Sequence, residues 1–152
     1  MSDPLYRKEI LRLAADAHGA GRLSGAHVSA TAHNPTCGDR VTVDLSVDAG
    51  GRVTAIAHDT KACVLAQASA SILGQSLKGA SREEVEKLAN DIATMMVTKG
   101  APPPPPFDAY SAFDGAVEHR TRHRCVLLPL EAVLAAFEES ETPEPRGVGT
   151  EA

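Results

Sequence analysis

The sequence predicts an α+β fold, a three-stranded antiparallel meander with helices before and after it, and three observations carry that reading. Over Arg40 to Val47 apolar and polar residues alternate, with Val41, Val43, Leu45 and Val47 on one face and Thr42, Asp44 and Ser46 on the other. Asp48-Ala49-Gly50-Gly51 then interrupts the pattern with residues that favour positive φ, as a tight hairpin requires. Beyond His58 the period changes from two to that of a helix.

The elements follow in order. Pro4 to Ala17 reads as an amphipathic helix, because Leu5, Ile10, Leu11, Leu13 and Ala14 share a face, Pro4 suits a first turn, and Gly19 and Gly21 end it. Ala26 to His33 alternates weakly and forms the first strand; Arg40 to Val47 and Arg52 to His58 are the second and third. Cys63 to Leu73 is rich in Ala and Leu and predicts a helix closed by Gly74 or Gly79. Ser81-Arg82-Glu83-Glu84 is a capping box opening a helix with Val85, Leu88, Ala89, Ile92, Met95 and Met96 apolar, ended by Lys99 and Gly100. Pro102 to Pro106 reads as a stiff polyproline connector and Ala109 to Val117 as a short helix. A last helix runs from about Thr121 through Cys125 to Phe137, with Pro129 predicting a kink or a later start. From Ser140 onward the chain reads as a frayed tail. There is no internal repeat.

Composition narrows the function classes. A chain of 152 residues fits one compact domain. Aromatic residues make up 3% with no Trp, and the net charge is -5, so stacking platforms and a phosphate-backbone partner are both disfavoured. No apolar run approaches a membrane span, and the first residues do not resemble a secretory signal; a cytoplasmic location with reduced thiols is the expectation for its 3 cysteines.

Those cysteines are the best chemical clue. Cys37 lies between Pro35 and Gly38 in the turn joining the first two strands, with Asp39 two residues on. Cys63 opens a helix, where backbone N–H groups favour a thiolate. An antiparallel meander puts the start of strand two and the end of strand three together, so Cys37 and Cys63 can meet. Cys125 follows Arg122-His123-Arg124 and is expected near the start of the last helix. Three thiolates and a carboxylate total about −4, which a divalent ion reduces to about −2, and Lys61, Arg122 and Arg124 stand close by in sequence to offset the rest. Three sulfurs and one oxygen suit zinc or iron–sulfur chemistry, and the carboxylate leaves a displaceable position. None of the spacings is a Cys-x-x-Cys pair, so buried packing cysteines are the competing reading. His27, His33, His58, His119 and His123 read as surface or satisfied residues; His123 is closest to Cys125, yet helical spacing points it away. Ala68-Ser69-Ala70-Ser71 reads as close helix packing, with no base beside either Ser.

Taken together, Asn34-Pro35-Thr36-Cys37-Gly38-Asp39, Cys63 followed by Ala68-Ser69-Ala70-Ser71, and the basic stretch before Cys125 resemble the U-type iron–sulfur cluster assembly proteins, the IscU/SufU/NifU N-terminal group, over about residues 4 to 138. The resemblance implies a three-stranded antiparallel sheet with helices packed on it in a single domain of residues 1–139, carrying an insert at about 101–120 and a tail at 140–152. It implies that Cys37, Asp39, Cys63 and Cys125 hold zinc or an Fe–S cluster (iron) at one tip. The partners implied are a cysteine desulfurase of the SufS/IscS type and Fe–S assembly or acceptor proteins. The scaffold branch has His immediately before its third Cys and a Leu-Pro-Pro-Val-Lys motif; here Arg124 takes that position, His123 is one residue earlier, and the motif is missing. The sulfur-transfer branch has a longer connection and an Arg three before the third Cys, matched by Pro102 to Asp114 and by Arg122. The chain therefore looks SufU-like, although Asp59-Thr60-Lys61-Ala62 replaces the usual glycine-containing approach to the second Cys. In the transfer reading Cys37 accepts a persulfide sulfur with zinc bound; in the scaffold reading Cys125 accepts it and a cluster forms on Cys37, Cys63 and Cys125. A structural zinc module is the third reading.

Overall fold

A computed structural model describes residues 8–25, 27–35, 38–116 and 119–141. Among them the chain forms α1 (Lys8–Asp16), β1 (Val28–Asn34), β2 (Asp39–Val47), β3 (Val53–Lys61), α2 (Val64–Ser76), α3 (Arg82–Thr98), a 3₁₀ helix (Asp108–Ala116) and α4 (Arg120–Glu141). The sheet order is β1-β2-β3, antiparallel throughout, as expected. The expected start of the first helix at Pro4, together with Ala26, Thr36, Cys37, Val117 and most of the tail, lies outside the described residues.

The meander works as its alternation dictates. Val41, Val43 and Leu45 are buried on the face that α4 covers, while α2 lies over β3, α1 packs on α2 and α3 packs on α4. The Asp48 side chain accepts from the backbone N–H of Gly50 (2.9 Å) and Arg52 (3.0 Å), and Gly51 takes φ 81°, so this turn sets the β2–β3 register.

Asp44 departs from the alternation. It sits on the outer, nominally polar face, yet it is 0% exposed. The chain after α1 pairs against the edge of β3, where the Gly21 N–H donates to the His58 carbonyl (2.8 Å) and the His58 N–H to that of Gly19 (2.9 Å). It then crosses the outer face to reach β1. That crossing lays Arg22 over Asp44, whose carboxylate accepts from Arg22 Nε (2.8 Å) and Nη2 (2.9 Å), the Leu23 N–H (2.9 Å) and the Ser29 hydroxyl. A single-residue pattern cannot report cover contributed by a distant loop.

Gly74, Pro129 and the proline run are decided by the packing around them. Of the two expected stops, Gly74 is passed within α2, which ends at Ser76 ahead of Gly79. A Cβ on Gly74 would lie 2.0 Å from the His18 carbonyl oxygen, so this glycine admits the α1–β1 connection rather than ending a helix. α4 begins at Arg120, within one residue of the expected Thr121, and contains Pro129, so the later start is excluded and Cys125 falls in the second turn. The Pro129 ring removes the N–H that would reach the Cys125 carbonyl. Lastly, the proline run is more than a spacer. It passes beside Leu88 and Lys87 of α3, with Pro103 buried, and its 3₁₀ continuation puts Tyr110 and Phe113 into the core.

Candidate metal centre

Asp39 opens β2, and Arg40 stands opposite Lys61 in register, so the start of β2 lies beside the end of β3. β3 continues beyond the expected His58 to Lys61 and delivers the chain directly to Cys63, the N-cap of α2 (φ −65°, ψ 168°). The Cys63 carbonyl accepts the Gln67 N–H (3.0 Å), while Gln67 Nε2 turns back onto the Ala62 carbonyl (2.8 Å) and steadies the approach. α4 supplies the third group. Arg124 donates to the His33 carbonyl at the end of β1 (3.0 Å) and to Glu131 (3.2 Å), anchoring the second turn of α4 over the same tip.

One donor atom each from Asp39, Cys63 and Cys125 lies within 4.8 Å of the others. A tetrahedral ion with bonds of about 2.3 Å holds its ligands about 3.8 Å apart, so each pair needs to close by about 1 Å at most. Cys125 is 1% exposed and Asp39 8%; Cys63 is half-buried. Among the described residues Asp39 Oδ2 has no hydrogen-bond partner. A buried acceptor left in that state costs about 1–3 kcal/mol, and a cation bound there would satisfy it. The Cys63 thiol is pulled down to about 6, chiefly because the Cys125 thiol hydrogen-bonds to it. The N–H groups of Ala66 and Leu65 add to the effect, against burial and the charge of Asp39. Two sulfurs and a carboxylate oxygen that converge on one point, with thiolate favoured, fit a thiophilic divalent ion.

Residues 5–119 match the family model of the NifU-like N terminal domain. The chain belongs to that family. It is 28% identical over 131 residues to the zinc-dependent sulfurtransferase SufU of Bacillus subtilis (strain 168), covering 86% of this chain and 88% of that protein. It is 26% identical over 123 residues to the iron–sulfur cluster assembly scaffold protein IscU of Streptococcus pyogenes serotype M1, covering 81% and 76%. A crystal structure of a nitrogen-fixing NifU-like protein (N-terminal) from Brucella abortus superposes with a TM-score of 0.85 at 32% identity, covering 92% of this chain and 98% of that one.

Of the four residues singled out in the sequence, this NifU-like domain brings Asp39, Cys63 and Cys125 together; Cys37 lies outside the described residues. Among the described residues on either side of Cys37, Asn34 pairs with Asp39 and the Gly38 N–H donates to the Asn34 carbonyl (2.8 Å). Cys125 lies one turn into α4 rather than at its first residue, and two of its basic neighbours make contacts away from it. Arg124 holds His33 and Glu131, and His123 Nε2 meets the Ala116 carbonyl at 3.0 Å. His58 faces inward with Nε2 2.9 Å from the His18 carbonyl and Nδ1 2.8 Å from the Thr60 hydroxyl; burial lowers its pKa.

The small residues of α2 do more than pack. The Ser69 hydroxyl donates to the Val126 carbonyl (2.7 Å) and lies 2.8 Å from the Tyr110 hydroxyl. This buried network ties α2, α4 and the 3₁₀ segment together one residue beyond Cys125. The Ser71 hydroxyl accepts the His18 N–H (3.0 Å). Neither role is legible in sequence, because both partners are more than 40 residues away.

Proposed function

We propose that this chain accepts sulfur from a cysteine desulfurase at a site formed by Cys37, Asp39, Cys63 and Cys125, with zinc as the resident ion, and hands it on for iron–sulfur cluster assembly. The carrying observation is the convergence of Asp39, Cys63 and Cys125 on one point, with a buried carboxylate oxygen that no described residue satisfies. The similarity to a protein named a zinc-dependent sulfurtransferase supports the transfer role, as does the long connection before α4. Cys37 is two residues from Asp39, so covalent reach alone keeps their α-carbons within about 7.6 Å. When bound, zinc would favour the deprotonated thiols at neutral pH.

The transfer step is a thiol–persulfide exchange. The Cys37 thiolate attacks the outer sulfur of the donor's persulfide, the donor's S–S bond breaks, and the donor cysteine leaves as a thiolate. No net oxidation or reduction occurs, and the pool of sulfur moves by one atom. The half-buried Cys63 and buried Cys125 remain behind as holders of the site, and Asp39 contributes the hard, exchangeable oxygen.

The similarity to the scaffold protein IscU favours a second reading, in which a cluster is assembled as cargo on the three thiolates and Cys125 takes the sulfur. Anaerobically purified protein separates the two. Colourless protein with about one zinc per chain, in which Cys37→Ala abolishes persulfide uptake and Cys125→Ala loses zinc, supports transfer. Brown protein containing sulfide, with persulfide on Cys125, refutes it in favour of the scaffold.

A further inference from the structure

The sheet register lines up three basic side chains that the proposed chemistry leaves unused. His33 of β1 stands opposite Arg40 of β2, and Arg40 opposite Lys61 of β3. All three are exposed on the outer face, at the end of the sheet that carries Asp39. With strands about 4.8 Å apart the row spans about 10 Å. All three residues, with Asp39, also line a concavity of about 300 Å³.

Directly opposed like charges destabilise a strand pair, and Arg40 and Lys61 are opposed with no ion pair to either among the described residues. This is not for want of acids. The chain has 20 acidic residues against 15 Lys and Arg. Arg22, Arg52, Arg82, Lys87 and Arg124 all reach a carboxylate within 4.0 Å. The nearest acids by register are Asp39, which is committed to the thiol cluster, and Asp59, one row inward. Positive charge is thus concentrated at one tip of an acidic protein.

We propose that His33, Arg40 and Lys61 form a docking surface for an acidic patch on the sulfur-donating protein, an inference that rests on the sulfur-acceptor reading above. Arg40 follows Asp39 directly and Lys61 precedes Cys63 by two residues. A donor whose persulfide reaches that tip must lay its own surface over this row. A small anion engages one or two groups, whereas two cations and an imidazole spread over about 10 Å on an open face match an extended surface. Such contacts set encounter rate and orientation, and they weaken with salt.

The test uses the full-length, zinc-loaded chain and the cysteine desulfurase of the same organism. Arg40→Glu/Lys61→Glu is expected to retain its zinc and to raise the concentration needed for half-maximal desulfurase activation about tenfold or more, with the maximal rate within about twofold. Raising NaCl from about 50 to 250 mM should weaken the wild-type complex and leave the variant nearly unaffected. Arg40→Gln/Lys61→Gln should fall between, and serves if the charge reversal fails to fold. Unchanged half-saturation and salt slope, or loss of zinc from the variants, overturns the proposal. Equal desulfurase affinity combined with lost binding of citrate would assign the row to a small anion and overturn it equally. If the wild type neither binds nor activates the desulfurase, the sulfur-acceptor reading itself falls; if it does and the variants match it, only the docking surface falls.

Discussion

Replacing Asp39 by Ala should have opposite effects on stability with and without metal. In the metal-free protein Asp39 Oδ2 is a buried acceptor without a partner among the described residues, beside two thiols, one of them favoured as thiolate. Removing such a group relieves about 1–3 kcal/mol of desolvation. For a domain of this size that corresponds to a rise in melting temperature of about 2–4 °C per kcal/mol. With zinc the sign reverses. Zinc at a thousandfold excess over its dissociation constant stabilises the wild type by about 4.1 kcal/mol. A ten- to hundredfold loss of affinity, the scale seen when a metal site's supporting groups are removed, forfeits about 1.4–2.7 kcal/mol of that. The assay is a pair of anaerobic thermal melts for each protein, one with chelator and one with zinc at a fixed excess. The expected outcome is a variant that melts higher than wild type with chelator and gains less from zinc. A chelated variant that melts below chelated wild type would show that the carboxylate already has a partner in the metal-free fold, and the case for a cation there would lose its footing.

Two further perturbations probe the scaffold that holds the tip. Asp44→Asn should cost about 2–4 kcal/mol at pH 7 by urea denaturation, because a buried carboxylate with four donors becomes an amide that accepts through one oxygen only. The Arg22 guanidinium holds the Asp44 carboxyl well below the usual carboxylate range. The stabilisation is therefore fully present above the unfolded value of about 4 and is lost as pH falls towards the folded one, so wild type and variant should converge on acidification. A pH-independent difference would contradict this. Gly74→Ala should destabilise despite the helix-forming tendency of Ala. Its Cβ would sit 2.0 Å from the His18 carbonyl oxygen and 3.0 Å from Gly19 Cα. Overpacking of about 1–3 kcal/mol outweighs a propensity gain of about 1 kcal/mol, and faster hydrogen exchange in α1 would locate the damage. An unchanged denaturation midpoint would mean the α1–α2 contact yields freely.

Much of the architecture is legible because it rests on local rules. The alternation of Val41, Val43 and Leu45 reads as a half-buried strand whatever packs against it. The Ser81–Glu84 capping box is written in four adjacent residues, and both of its hydrogen bonds form. The prolines and Pro129 were harder to read. A proline excludes an N–H donor, but whether a helix tolerates that depends on what surrounds it, and α4 is sandwiched between the sheet and two other helices. Gly74 and Gly79 are not distinguished in the sequence for the same reason, since a glycine that ends a helix and one that admits a crossing backbone look alike in one dimension.

The candidate site divides along the same line. Residue chemistry by itself determined that Asp39, Cys63 and Cys125 are capable ligands and that the antiparallel hairpin must bring the start of β2 beside the end of β3, because turn geometry and strand pairing are set over a few residues. Only the tertiary structure decided that Cys125, some sixty positions further on, reaches the same point from the second turn of a buried helix, with Arg124 fastened to the end of β1 and Ser69 holding Val126 from behind. Contacts between distant segments are selected by the packing of whole faces, and no local pattern encodes which faces will meet.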